Sequence, residues 1–180
     1  EGKIDFLDTQ NEWFYDSSTK KLSVWGNPSG KKIQGKVQSY AFEMNNCSNI
    51  KIQNLNFFAT TVKANRSSEI ELNNCLFSYP SCSKRMLGEK STPHTTELKG
   101  NNKNSTTGFK IYQCLFEHTD GDALYMIGKN NIVEDCYFHH IDYTVSSLRN
   151  LMTTVVNNGD NGIFTRNTVH TTGASSTVHF

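Results

Sequence analysis

A five-residue pattern recurs along this chain: "NNCLF" from Asn73, "YQCLF" from Tyr112 and "EDCYF" from Glu134. Each copy sets a polar residue before a cysteine and a phenylalanine two places after it, at intervals too long for any helical repeat. Aligning "NIKIQNLNFF" from Asn49, "EIELNNCLFS" from Glu69, "GFKIYQCLFE" from Gly108 and "NIVEDCYFHH" from Asn131 superposes Leu55, Cys75, Cys114 and Cys136. Phe57, Phe77, Phe116 and Phe138 form a second column. "GIFTRNTVHT" from Gly162 is a fifth, weaker copy with Asn167 in the cysteine column. The intervals between positions 55, 75, 114, 136 and 167 set a unit of about 20 to 22 residues, with insertions in the second and fourth gaps. A unit that short cannot bury its own apolar face, but stacked coils can, each strand pairing with its copy one turn away. The cysteine and phenylalanine columns are expected to point inward, the polar residue before the cysteine to turn the corner, and successive coils to lie about 4.8 Å apart. A β-sandwich would also give short strands and frequent turns, but not equivalent residues at one coil's interval. The pattern therefore points to an all-β chain wound as a parallel solenoid of about five to six coils.

The first forty residues follow another pattern. In "EWFYDSSTKKLSVW" two aromatic and β-branched runs, Trp13 to Tyr15 and Leu22 to Trp25, flank a polar turn that starts at Asp16, which predicts a hairpin. Pro28, between Gly26 and Gly30, breaks the chain before the next strand. The expected organisation is a hairpin or cap segment over 1–36 and the solenoid over 37–180. The stretch from Tyr79 to Thr107 reads as a polar, turn-rich loop along one edge of the repeat, a place where binding residues collect. Tyr79 or Tyr112 beside it can stack on a sugar ring or on the solenoid.

Eighteen basic against 17 acidic residues give a formal charge of +1, with no basic patch to track a phosphate backbone, so nucleic acid is not an expected partner. No apolar run reaches the roughly 18 residues needed to span a bilayer. The five cysteines are an odd number, and three fill one column of the repeat, so they read as small buried side chains rather than a disulfide framework. Cys82 is the residue that would pair, with Cys75 or Cys47, if a bridge formed. N-x-S/T triplets at Asn46, Asn65 and Asn104 lean towards a secreted or cell-surface protein. The chain opens at Glu1 and stops at "STVHF" without a polar cap, so continuation into a longer chain or end-to-end self-association is expected.

Chemistry concentrates in "CLFEHTDGDALYMIGKNNIVEDCYFHHIDYT". Four residues beyond Cys114 and Cys136 stand His118 and His140, and six beyond stand Asp120 and Asp142. If the cysteines stack, so do these, and residues i and i+2 of extended backbone share a face, which would gather all four into one patch. Two carboxylates at the coil spacing form an acid/base couple, with a separation near 5 Å suited to a retaining glycosidase. Histidine beside them can instead remove the proton α to a uronate carboxylate, as a lyase requires. The same four groups can bind a transition metal, so a divalent ion is an open cofactor reading, as is a polar ladder with no chemical purpose. His139, and His170 one coil later, extend the histidine column. Arg149, Lys129 and Arg166 are the cations available to neutralise an acidic sugar.

The hairpin "EWFYDSSTKKLSVW" followed by "NIKIQNLNF" and "NNIVEDCYFHH" resembles the bacterial right-handed parallel β-helix proteins of the pectate-lyase-like superfamily, over nearly the whole chain. That resemblance implies a right-handed coil and activity on polysaccharides. Within the group, "HTDGDAL" resembles the "NTDG" segment of polygalacturonases, which implies a catalytic role for Asp120, with Asp122 as second candidate. The next coil offers "HHIDYT" where those enzymes carry paired aspartates and Gly-His-Gly. The expected function is degradation of an acidic polysaccharide by lyase or glycoside hydrolase chemistry. The alternative is a non-catalytic solenoid serving as adhesin, fibre or appendage subunit.

Overall fold

The computed structural model describes residues 3–10, 12–16, 18–36, 38–80, 95–142, 154–173 and, for the backbone, 178–179. The described residues up to 35 form one compact unit and those from 36 onward another. In the first, a short 3-10 turn at Ile4–Phe6 precedes strands β1 (Trp13–Asp16) and β2 (Lys21–Val24), which pair antiparallel with Trp13 opposite Val24. The Asp16 carboxylate accepts hydrogen bonds from the Ser18 hydroxyl at 2.6 Å, the Thr19 hydroxyl at 2.7 Å and the Ser18 amide at 2.9 Å. These donors, the Ser18 hydroxyl first, pull its pKa down to about 2. The hairpin expected from the sequence is thus closed by its own turn residues.

The second unit is a right-handed parallel β-helix. Its first coil holds β3 (Tyr40–Asn45), β4 (Ser48–Gln53) and β5 (Asn56–Phe58); the second β6 (Thr61–Asn65), β7 (Ser68–Asn73) and β8 (Leu76–Ser78). The third holds β9 (Thr96–Lys99), β10 (Lys110–Tyr112) and β11 (Leu115–Thr119); the fourth β12 (Leu124–Ile127), β13 (Ile132–Glu134) and β14 (Tyr137–Ile141). The fifth holds β15 (Val155–Asn158), β16 (Ile163–Thr165) and β17 (Thr168–Thr172), and β18 (Val178–His179) starts another. Like strands pair in parallel, giving a first sheet β3-β6-β9-β12-β15-β18, a second β4-β7-β10-β13-β16 and a third β5-β8-β11-β14-β17. No helix among the described residues is long and apolar enough to cross a membrane.

Register confirms the columns. Phe57 pairs with Phe77, Phe77 with Phe116 and Phe116 with Phe138, and their rings stack at 4.7, 4.7 and 5.1 Å within 5° of parallel. The strand spacing imposes that face-to-face arrangement, and burial supplies most of the stabilisation. Cys75, Cys114 and Cys136 are buried free thiols, each donating to the carbonyl two residues before it. Contacts with the Cys136 and Cys75 sulfurs, together with burial, push the Cys114 thiol up. Asn167 takes the same column, its side-chain carbonyl accepting from the Cys136 amide at 2.8 Å. Leu55 holds the same column in the first coil, its carbonyl accepting from the Leu76 amide at 3.0 Å, but there it is 41% exposed. Asn54, Asn74, Gln113, Asp135 and Arg166 turn the corner between the second and third sheets, all with left-handed φ between 50° and 58°. Asn tolerates that region best among side-chain-bearing residues, and Asn74 Nδ2 donates to Asn54 Oδ1 at 2.8 Å.

Two expectations need correction. The repeat shows two strands per coil, whereas the structure has three, because the strands of the first sheet share no signature: "TVKAN", "TELK", "LYMI" and "VVNN". The stretch from Tyr79 to Thr107 is not one loop either. It contains β9, whose Leu98 is fully buried and pairs with Met126, while 81–94, with Cys82, lie outside the described residues.

Phe116→Ala, in mid-stack, is expected to cost about 3–5 kcal/mol in urea denaturation. In the native protein, iodoacetamide followed by peptide mass spectrometry should label half-buried Cys47 ahead of Cys75, Cys114 and Cys136.

Candidate active site on the outer face of the third sheet

Along β11 the inward residue is Phe116 and the outward one Glu117, after which alternation would turn residue 118 inward. It does not, because His118 adopts a left-handed φ of 54°, as His140 does at 52° in β14. That single step keeps Glu117 and His118 on one outer face, and His139 with His140 on the next coil, in the manner of a bulge. The reason for expecting a shared His-x-Asp face, extended backbone from i to i+2, is therefore not the one that operates.

The histidines assemble nevertheless. His118 stacks on His140 with centroids 4.8 Å apart at 14°, and Tyr79 stacks on the other side of His118 at 4.7 Å and 15°. His139 pairs in register with Glu117 on one side and His170 on the other, and the rings of His139 and His170 stack at 5.7 Å. His139 also meets His118 and His140 edge to face. Tyr137 lies beside His139 and His170, its hydroxyl hydrogen-bonded to His170 Nε2, while His170 Nδ1 is 2.7 Å from the Thr171 hydroxyl. Four imidazoles from three consecutive coils thus share one surface. Rings stacked this way cover one another's faces, and the His118 and His139 side chains keep 28% and 16% of their surface exposed.

The aspartates occupy different ground. Thr119 and Ile141 are register partners at the ends of β11 and β14, so Asp120 and Asp142 follow together at the corner that leaves the third sheet. Both are buried, 4% and 5% exposed. The Asp142 amide donates to the Thr119 hydroxyl at 3.4 Å, and a Cβ added at Gly173 would stand 2.7 Å from Asp142 Oδ2, so glycine is what lets the next coil pass. Asp122 is buried as well, its Oδ1 accepting from the Thr95 amide at 3.1 Å ahead of β9.

The cations are dispersed. Arg166, at the corner before β17, donates to both Asp135 oxygens at 2.7 and 2.9 Å and to Glu134. Lys129 follows β12 and pairs with Asp160 at 2.6 Å. Arg149 lies outside the described residues. Among the described residues no three or more His, Cys, Asp or Glu side chains are placed to hold a metal ion, so the geometry does not assemble the metal reading of His118, Asp120, His140 and Asp142.

Glu117 is the member that the sequence reading missed. Its Oε1 accepts from the Ser78 hydroxyl, and its Oε2 lies 3.0 Å from His139 Nε2. The column alignment that placed His139 beside His170 also places Glu117 beside His139, so the signal was there. Burial holds the His139 pKa below the usual histidine value, with His140, His118 and His170 adding to the effect and Glu117 opposing it.

This lowered pKa links stability to pH. Below about 6.5 the unfolded histidine takes up a proton that the folded one resists, so its linkage term is neutral at higher pH and destabilising as pH falls through that value. Thermal midpoints measured from pH 7 to pH 5 should drop, and His139→Asn should drop less steeply than the parent. The chain matches no family model, and searches of curated proteins and of solved structures return no match.

Proposed function

We propose that this protein is a secreted or cell-surface carbohydrate-active β-helix that cleaves an acidic polysaccharide at the histidine face of the third sheet, a reading that would set it among the pectate-lyase-like proteins. The observation that carries the proposal is the cluster of His118, His139, His140 and His170 with Glu117 and Tyr137 on one outer face. Groups that reach a substrate there are imidazoles and a phenol, bases and acids suited to removing the proton α to a uronate carboxylate and to protonating a leaving oxygen. Asp120 and Asp142 are buried, which favours elimination over a hydrolysis in which two carboxylates flank the glycosidic bond. Repetition of the face coil after coil also suits a polymer, since each turn offers similar groups to each successive sugar.

One observation favours the second reading, a non-catalytic solenoid used as adhesin, fibre or appendage subunit. Tyr79, His118 and His140 stack at almost the spacing of the inner phenylalanines, as a purely structural ladder would.

Uronate-containing and neutral polysaccharides should be screened for unsaturated-product absorbance and for new reducing ends, with His118→Gln and an Asp120→Asn, Asp142→Asn double variant alongside. Elimination predicts both signals together, lowered by about two orders of magnitude or more in His118→Gln if that ring touches the sugar. Reducing ends without absorbance, lost in the aspartate variant, would establish hydrolysis. Silence on every polymer from folded protein would establish the binding or structural solenoid.

A further inference from the structure

Glu117 orders the two histidines of the following coil. Glu117 Oε2 lies 3.0 Å from His139 Nε2, and because a carboxylate can only accept, a hydrogen between the two belongs on that nitrogen. His139 Nδ1 lies 2.7 Å from His140 Nδ1, and one of the two must donate. When His139 is neutral, the state that its burial favours, its Nδ1 has only a lone pair. His140 must then donate from Nδ1, which leaves the lone pair of His140 on Nε2. Among the described residues no group hydrogen-bonds that nitrogen. Ser78, through its hydroxyl on Oε1, holds the Glu117 carboxylate from the coil before.

We infer that Ser78, Glu117 and His139 are a positioning chain, running across three consecutive coils, that fixes His140 as its Nδ1–H tautomer with Nε2 as the proton acceptor of the site. Glu117 is to His139 what an orienting acid is to the histidine of a hydrolytic triad, with one more imidazole added in series. The substrate side of this inference rests on the proposed elimination; the tautomer does not. In the elimination, His140 Nε2 takes the proton from the carbon α to the carboxylate. That carbon–hydrogen electron pair becomes the new carbon–carbon double bond as the bond to the glycosidic oxygen breaks. The imidazolium returns its proton to the departing oxygen, so the polymer divides into an unsaturated end and a hydroxyl end with no other reagent consumed. Positive charge on His140 in the intermediate step is met by Glu117 through His139. Among the described residues, the titratable groups facing His140 are His118 of β11, His139 of its own strand and His170 of β17 at 6.4 Å.

Nitrogen-15 NMR of the histidine side chains in the whole folded chain, near neutral pH, reads the arrangement directly. His140 should show a protonated Nδ1 and an unprotonated Nε2, and His139 the reverse. In Glu117→Leu, which removes the acceptor at similar volume, His140 should revert to the commoner Nε2–H form. An Nε2–H His140 in the unaltered protein would overturn the inference without need of any variant. On a polymer found to be cleaved, Glu117→Leu should lower kcat by about two to four orders of magnitude with KM little changed. Unchanged kcat there would overturn the chain's role even with the tautomer as stated. Conversely, the stated tautomers in a protein that cleaves no polymer would sustain the chain and sink the proposed function instead.

Discussion

In-register stacking of like residues at the strand spacing is the constraint from which the rest of the β-helix follows. Once Phe77, Phe116 and Phe138 are held one above another, the cysteines two places before them stack too, and the residue before each cysteine must turn the same corner in the same left-handed conformation. Every outward residue then meets its equivalent one coil away. Chemistry on such a surface is not built by convergence of distant loops but by choosing which side chains to place in neighbouring columns.

That constraint also explains how much could be read from the sequence. Where inward residues are large and repeated, as in the cysteine and phenylalanine columns, the period is visible, and His170 could be aligned with His139 before any coordinates. The first sheet escaped because its inward positions accept Thr, Ala, Leu, Met, Val or Asn as long as the volume fits the coil above, so β6, β9, β12 and β15 carry no common word. For the same reason β9 hid inside a polar stretch. Tertiary pairing overrode local composition there.

The candidate site was legible by column and not by conformation. His118 and His140 were recognised as equivalent, yet histidine's modest enrichment in the left-handed region is too weak a signal to announce that the strand would break step. The break matters because it brings two successive residues to the surface, doubling the functional groups per coil and bringing His139 Nδ1 against His140 Nδ1. It also sends the aspartates to a buried corner, where Gly173 makes room for Asp142.

Because each coil touches only its immediate neighbours, the stability of such a solenoid is close to a sum of per-coil terms and nearest-neighbour terms, and opening can begin at an end and travel inward. The histidine face is distributed unevenly over that line. Loosening of the fifth coil takes His170 and Thr171 away from the cluster, while the series of polar contacts from Ser78 through Glu117 to His139 and His140 sits wholly in the second, third and fourth coils. The site is therefore cooperative with the middle of the molecule, and partial fraying would trim its edge before it touched its centre.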